Sequence, residues 1–220
     1  MLIKKFWKLY PVTTKRNIIA DDRLKVSKKK RIELQKFGKE YFDGERINGY
    51  GGYHYNKKYF RKITKEIIKH YKLNNNSKIL DIGCAKGFMM SEFRHFLPKA
   101  EIWGIDISKY CKIKAMPTEK KFIKIRSCHN LPFENNYFDF IVSISTIHNL
   151  NQKKIPLAIK ELERVKNGKS FIRVKGYKSL KEKKFIDQWN LVAKSNLSIK
   201  KWLKMFKKYN YSGDYEFSCY

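Results

Sequence analysis

Two carboxylates and two glycines set the chemistry open to this chain. Lys78-Ile79-Leu80-Asp81-Ile82 is a short apolar run with a carboxylate near its end, and Gly83-Cys84-Ala85-Lys86-Gly87 follows at once. Gly83 and Gly87 suit a turn that must bend sharply or approach a ligand without a Cβ in the way. Phe88-Met89-Met90-Ser91-Glu92-Phe93-Arg94-His95-Phe96 then places apolar residues at helical spacing. Strand, glycine turn and helix open an α/β unit whose first helical N–H groups favour an anionic group. A second run, Glu101-Ile102-Trp103-Gly104-Ile105-Asp106, ends on another carboxylate. An acidic group roughly 20 residues beyond such a turn grips ribose hydroxyls. Asp81, two residues before the first glycine, adds a demand for a cation. The ligand class is therefore a nucleoside with a positively charged end.

The turn reads Gly83-x-x-x-Gly87, not the G-x-G-x-x-G of dinucleotide binders, so the spacing disfavours a nicotinamide oxidoreductase. S-adenosylmethionine carries both an ammonium and a sulfonium. The segment resembles the first motif of class I S-adenosylmethionine-dependent methyltransferases, an acidic residue followed by G-x-G-x-G, with Ala85 in place of the middle glycine. The resemblance is to the small, type 11-like domain. The resemblance implies an α/β, Rossmann-like three-layer sandwich: a mostly parallel sheet of about six strands with helices on both faces. It implies methyl transfer with S-adenosylmethionine as cofactor. Asp106 would then take the ribose hydroxyls, with Ile107 beside it. Gly83, Cys84, Ala85 and Gly87 would meet the amino-acid end, which Asp81 organises. Leu131-Pro132-Phe133 with Phe138-Asp139 resembles the family's approach to its fourth strand. Ser127 and Cys128 stand where that family carries an acidic residue and an alanine that read adenine, which leaves a backbone contact at Cys128. Ser143, on the fourth strand, completes the expected cofactor set.

Two features point to the acceptor side. Asp43 to Asn56 interleaves glycines with Tyr50, Tyr53 and Tyr55, which no regular element accommodates. Such rings can close over a nucleoside or offer π-faces to a sulfonium, or pin the loop to the core. A similar segment precedes the first motif in a subset of small bacterial-type methyltransferases. His148 follows the strand expected over 138–145, and its imidazole can lose a proton near neutral pH, which makes it the expected general base.

The elements that must position these residues follow from periodicity. Helices are expected over 59–73, 155–165, 181–194 and 199–208, the last capped by Ser198, with a short basic one beginning near residue 28. Asn167-Gly168 reads as a helix stop. Strands are expected over 121–126, 138–145, 169–174 and 213–220. The chain divides into a basic extension over 1–56 and a methyltransferase domain over 57–220.

Composition bounds the rest. The formal charge is +30, with nine Arg among 50 basic residues. Lysine spread along the chain reads mainly as a solubility and association-rate feature. An RNA methyltransferase that uses this basic surface is the alternative to a small or carbohydrate-like acceptor, and a non-catalytic cofactor-binding protein is the third reading. No apolar run approaches the ~20 residues of a membrane helix, and Met1 to Ala20 lacks the apolar core of a signal peptide. Cys84, Cys111, Cys128 and Cys219 form no C-x-x-C pair and read as reduced thiols of a cytoplasmic protein. No metal-ligand spacing is present.

Overall fold

The computed structural model describes residues 15–218, so residues 1–14, Cys219 and Tyr220 lie outside the described residues. The first 14 residues of the expected basic extension and the last two of the expected C-terminal strand fall there. Seven strands form the sheet: β1 (Lys78–Ile82), β2 (Glu101–Asp106), β3 (Ile123–Ile125), β4 (Phe138–Ile144), β5 (Lys166–Tyr177), β6 (Leu197–Ser198) and β7 (Asp214–Ser218). Their order is β3-β2-β1-β4-β5-β6, with β7 also paired to β5. Every pairing is parallel. The order reverses between β1 and β4, and in an open α/β sheet such a reversal leaves a crevice at the strands' carboxyl ends.

Nine α-helices accompany the sheet among the described residues: α1 (Lys15–Leu24), α2 (Lys28–Leu34), α3 (Lys39–Asp43), α4 (Lys57–Tyr71), α5 (Phe88–Phe96), α6 (Lys109–Ile113), α7 (Ile155–Val165), α8 (Leu180–Trp189) and α9 (Ile199–Lys208). Strand alternation splits the core into two layers. Ile79, Phe140, Val142 and Phe171 pack with Ile63 and Ile67 of α4 and Met90 and Phe93 of α5. Leu80, Ile141 and Ile172 pack with Ile159 and Leu162 of α7 and Trp202 and Phe206 of α9. Parallel strands covered on both faces require such runs of apolar residues.

Two local expectations change. Asn167-Gly168 does not end a helix; it lies inside β5, which begins immediately after α7. The β4–β5 register shifts there, Phe138 facing Lys166 and Phe140 facing Lys169. A Cβ on Gly168 would lie 2.2 Å from the Asp139 carbonyl oxygen, so the glycine serves a close backbone approach. The basic helix near residue 28 is two helices, broken where Phe37 adopts a left-handed φ of 53°. The last strand lies parallel to β5, and two-residue β6 brings the sheet to seven strands, in keeping with the expected mostly parallel sheet of about six.

One buried side chain helps to fasten residues 15–56 to the rest of the molecule. Arg23 is 4% exposed. Its guanidinium donates to the carbonyls of Arg46, Ile47, Gly49 and Trp189 and lies 4.6 Å from the Trp189 ring centroid. Removing the donors strands these carbonyls, at about 1–3 kcal/mol for a buried group left unpaired. Arg23→Met is expected to lower unfolding free energy by at least about 2 kcal/mol in urea. It should also speed tryptic cleavage within residues 15–56; unchanged cleavage would show that Arg23 does not hold this segment.

Candidate functional site

The carboxyl ends of β1, β2, β4 and β5 open into one cavity of about 780 Å³, within the ~300–1,000 Å³ of ligand pockets. Its floor is the glycine turn. Gly83, Ala85 and Gly87 have left-handed φ values of 82°, 49° and 77°. A Cβ on Gly83 would stand 1.9 Å from Thr146 Oγ1, so the β1 turn meets the β4 end without space for a side chain. Ala85 holds a conformation that glycine adopts freely and that costs other residues ~1–2 kcal/mol. Its N–H donates to Asp106 Oδ2 at 2.8 Å, and the Ser108 N–H donates to Oδ1 at the same distance. Burial raises the Asp106 carboxyl above its ordinary range, with these backbone donors pulling the other way.

Asp81 has no such support. It is 5% exposed and lines the cavity, and no hydrogen bond among the described residues reaches its carboxylate. Burial, and then the charge of Asp106, push it up to about 7. A carboxylate so placed demands a cation or a proton.

The roof comes from the N-terminal segment. Phe37, Tyr41, Phe42, Tyr50 and Tyr53 line the cavity, and Tyr53 stacks on Phe88 at 5.0 Å. Asp43 latches this roof to the turn. It accepts from Lys86 Nζ at 2.7 Å, the Tyr110 hydroxyl at 2.6 Å and the Tyr53 N–H at 2.9 Å. Lys86 is itself a residue of the glycine turn, so roof and floor share one ion pair. Ser108 Oγ adds a hydrogen bond to the Phe37 carbonyl at 2.5 Å.

The far wall belongs to β4, β5 and β7. Ser145, with a left-handed φ of 55°, donates its N–H to the Arg173 carbonyl at 2.8 Å. Arg173 Nε pairs with Glu216 Oε1 at 3.0 Å. Asn149 Nδ2 donates to the Ser145 carbonyl at 3.2 Å. The cavity's basic residues are Arg126, Lys154, Arg173 and Lys194, against Asp81, Asp106 and Glu216. A chain of charge +30 therefore encloses a cavity close to neutral.

The cavity gathers Tyr50, Tyr53, Asp81, Gly83, Cys84, Ala85, Asp106, Ile107 and Cys128 from the expected set. It does not gather Gly87, Tyr55, Ser143 or His148. Gly87 shapes the turn as the N-cap of α5. Tyr55 points its hydroxyl at Glu92, which also takes Arg61 Nε at 3.0 Å. Ser143 still lies within the sheet, flanked by Ile82 and Ile172, and is fully buried. His148 is 2% exposed, and its Nδ1 accepts from the Lys175 N–H at 3.5 Å. Burial, and then Lys175 and Arg173, hold its imidazole well below its ordinary pKa. It is a packed ring outside the residues that line the cavity. The thiols of Cys84, Cys111 and Cys128 are raised by burial, the last two to about 12, so they stay protonated. Thr146, Asn149, Arg173, Glu216 and the roof residues Phe37, Tyr41 and Phe42 carried no motif that marked them.

Residues 80–172 match the family model of a methyltransferase domain. The match runs from Leu80 of β1 to Ile172 of β5, the part of the chain that resembles class I methyltransferases. Domains of this class use S-adenosylmethionine. The malonyl-[acyl-carrier protein] O-methyltransferase of Legionella pneumophila is 30% identical over 94 residues, 41% of this chain and 32% of that protein. The YcgJ protein of Bacillus subtilis shares the fold, with a TM-score of 0.57 at 21% identity over 66% of each chain. So does the [4+2]-cyclase SpnF, with a TM-score of 0.54 at 17% identity over 68% of this chain and 56% of that one. The chain thus spans about a third of the length of the curated relative it matches. No helix among the described residues is long and apolar enough to cross a membrane.

The latch gives the glycine turn a titratable fastening. Burial alone would raise the Asp43 carboxyl, but Lys86, the Tyr110 hydroxyl and the Tyr53 N–H bring it down to about 2. A depressed carboxyl stabilises the folded state above its ordinary value of 3.8 and loses that contribution as pH falls through about 2. Asp43→Asn should cost about 1–2 kcal/mol at neutral pH, with the gap to the parent closing as pH drops from about 4 to 2. Melting curves across that window check it; a gap independent of pH would break the assignment.

Proposed function

We propose that this chain transfers a methyl group from S-adenosylmethionine to a small acceptor bound in the same cavity. The observation that carries the reading is the meeting of Asp81 and Asp106 in one cavity, where Asp81 has no cation of its own. The residues fit the cofactor. Asp106 stands at the end of β2, where it would receive ribose hydroxyls. Asp81 would hold the ammonium, and Gly83, Cys84 and Ala85 would bring the turn's backbone against the amino-acid end. The Cys128 N–H and Ile107 would border the adenine. The cofactor supplies an already activated methyl on a sulfonium, so the protein's task is alignment of a nucleophile at near-attack distance. The roof of Tyr41, Phe42, Tyr50 and Tyr53 would exclude water and offer π-faces to the positive centre.

The acceptor side favours a small or carbohydrate-like molecule. The near-neutral lining supports this reading over RNA, whose recognition rests on cations neutralising phosphates. The Legionella relative is named for a malonyl-[acyl-carrier protein] acceptor, and this chain is a methyltransferase of the same broad reaction type. SpnF is named a cyclase, so fold alone does not secure the reaction, and transfer of labelled methyl to an acceptor is the decisive observation.

Asp106→Ala should weaken S-adenosylmethionine binding at least ~tenfold in calorimetry, the scale of a lost charge-assisted hydrogen bond. Unchanged affinity in a folded variant would remove that role. Because Asp81 titrates near 7, it is neutral below that value and charged above it. Cofactor affinity should therefore fall as pH drops through about 7, and Asp81→Asn should flatten the profile at its weak, low-pH level. A parent profile already flat across neutral pH would refute the pairing of Asp81 with the ammonium.

A further inference from the structure

Lysines occupy the outer surface of α4, and they stand in single file. Lys58, Lys62, Lys65 and Lys69 recur at intervals of four, three and four residues. At 3.6 residues a turn they fall within an arc of about 60° and run about 16 Å along the helix. All four are exposed, and none makes a side-chain hydrogen bond or ion pair among the described residues. The basic residues on the helix's flanks are partnered: Arg61 Nε pairs with Glu92 at 3.0 Å, and His70 Nε2 lies 3.8 Å from Asp214. Glu66 is the sole acid of α4 and takes none of the four lysines. Like charges three and four residues apart destabilise a helix. Other helices answer theirs, Glu161 pairing with Arg164 on α7 and Lys183 with Asp187 on α8. On α4 the repulsion is left for an anion from outside to relieve.

The character of this face says which anion. Helices that hold a membrane surface bury an apolar face in it. The apolar face of α4, with Ile63 and Ile67, is packed inside the molecule, and none of the exposed large hydrophobic residues lies on α4. Protein interfaces are depleted in lysine and anchor on buried aromatic residues, which this file lacks. A row of ammonium groups without such anchors fits a phosphate backbone, whose binding is charge neutralisation. A duplex strand completes a turn in about 34 Å, so along this file it would wind almost half-way round and away. A single strand can lie along the whole of it.

We propose that this face of α4 binds single-stranded nucleic acid through its phosphates, without regard to base sequence. Tyr59 and Phe60, at the start of α4, line the cavity. At its far end the Tyr71 hydroxyl donates to Asp214 of β7 at 3.0 Å. A strand bound here runs along the outside of the molecule with one end beside the cavity. The cavity lining is close to neutral, so the strand is a docking partner and not the methyl acceptor. The assignment stands apart from the methyltransferase reading, and its test uses no cofactor.

A short fluorescein-labelled oligothymidylate, followed by anisotropy between about 50 and 200 mM salt, tests it. Four phosphate contacts give log K a slope of about −3 or steeper against log salt, at ~0.7 for each contact on a single strand. The triple variant Lys62→Gln, Lys65→Gln, Lys69→Gln should flatten that slope by about 2 and weaken binding at least ~tenfold near 200 mM. Lys200→Gln, Lys204→Gln, Lys207→Gln on α9 removes the same charge from an exposed file of only about 10 Å. That variant should stay within about threefold of the parent at the same salt, where distant charges are screened. Both variants should melt no earlier than the parent, since each loses like-charge neighbours. Equal losses in the two variants, or an unchanged slope in the α4 variant, overturns the assignment. So does tighter binding of a duplex of the same length, or binding to phosphatidylserine vesicles and not to the oligonucleotide.

Discussion

The carboxylate of Asp106, closed onto the N–H of Ala85, is the constraint on which the rest of the molecule depends. That hydrogen bond crosses from the tip of β2 to the turn after β1 and holds Ala85 in a left-handed conformation. It fixes where α5 begins, and with it the face that buries Met90 and Phe93 against the sheet. It also leaves Asp81, on the neighbouring strand, facing the same cavity without a donor. One carboxylate thus shapes the turn while the second remains available, and the difference lies in which backbone N–H groups each can reach.

The roof depends on that turn as well. Lys86 is the turn residue that reaches back to Asp43, so the N-terminal segment is tied to the ligand-facing backbone and not to a distant surface. Aromatic packing does the covering. Phe42 and Tyr50 stack at 5.7 Å, and Tyr53 lies on Phe88 at the start of α5. The cavity holds acidic and basic residues in near balance, whereas the chain as a whole carries a formal charge of +30.

On the opposite wall, β5 does most of the positioning. It pairs with both β4 and β7, and so brings Arg173 between Ser145 and Glu216. The carboxylate of Glu216 is buried because β7 is drawn into the sheet in parallel, and half of that carboxylate remains unmet. The last strand of the described chain therefore furnishes part of the cavity wall.

What the sequence determined by itself was local. Asp81, Gly83, Gly87 and Asp106 declare a strand-turn-helix and its second strand, because a turn and the helix after it are decided by residues a few positions apart. The apolar runs declare a doubly covered parallel sheet for the same reason. Tertiary structure alone decided which side chains share the cavity. His148 has the chemistry of a base but sits behind the wall, where burial and nearby cations keep it neutral. Ser143 lies inside the sheet, one residue short of the cavity-lining Ile144 and two short of Ser145. Phe37, Phe42 and Glu216 meet at the site from segments far apart in the chain. That meeting is a product of strand order and long-range packing, on which no short spacing of residues bears.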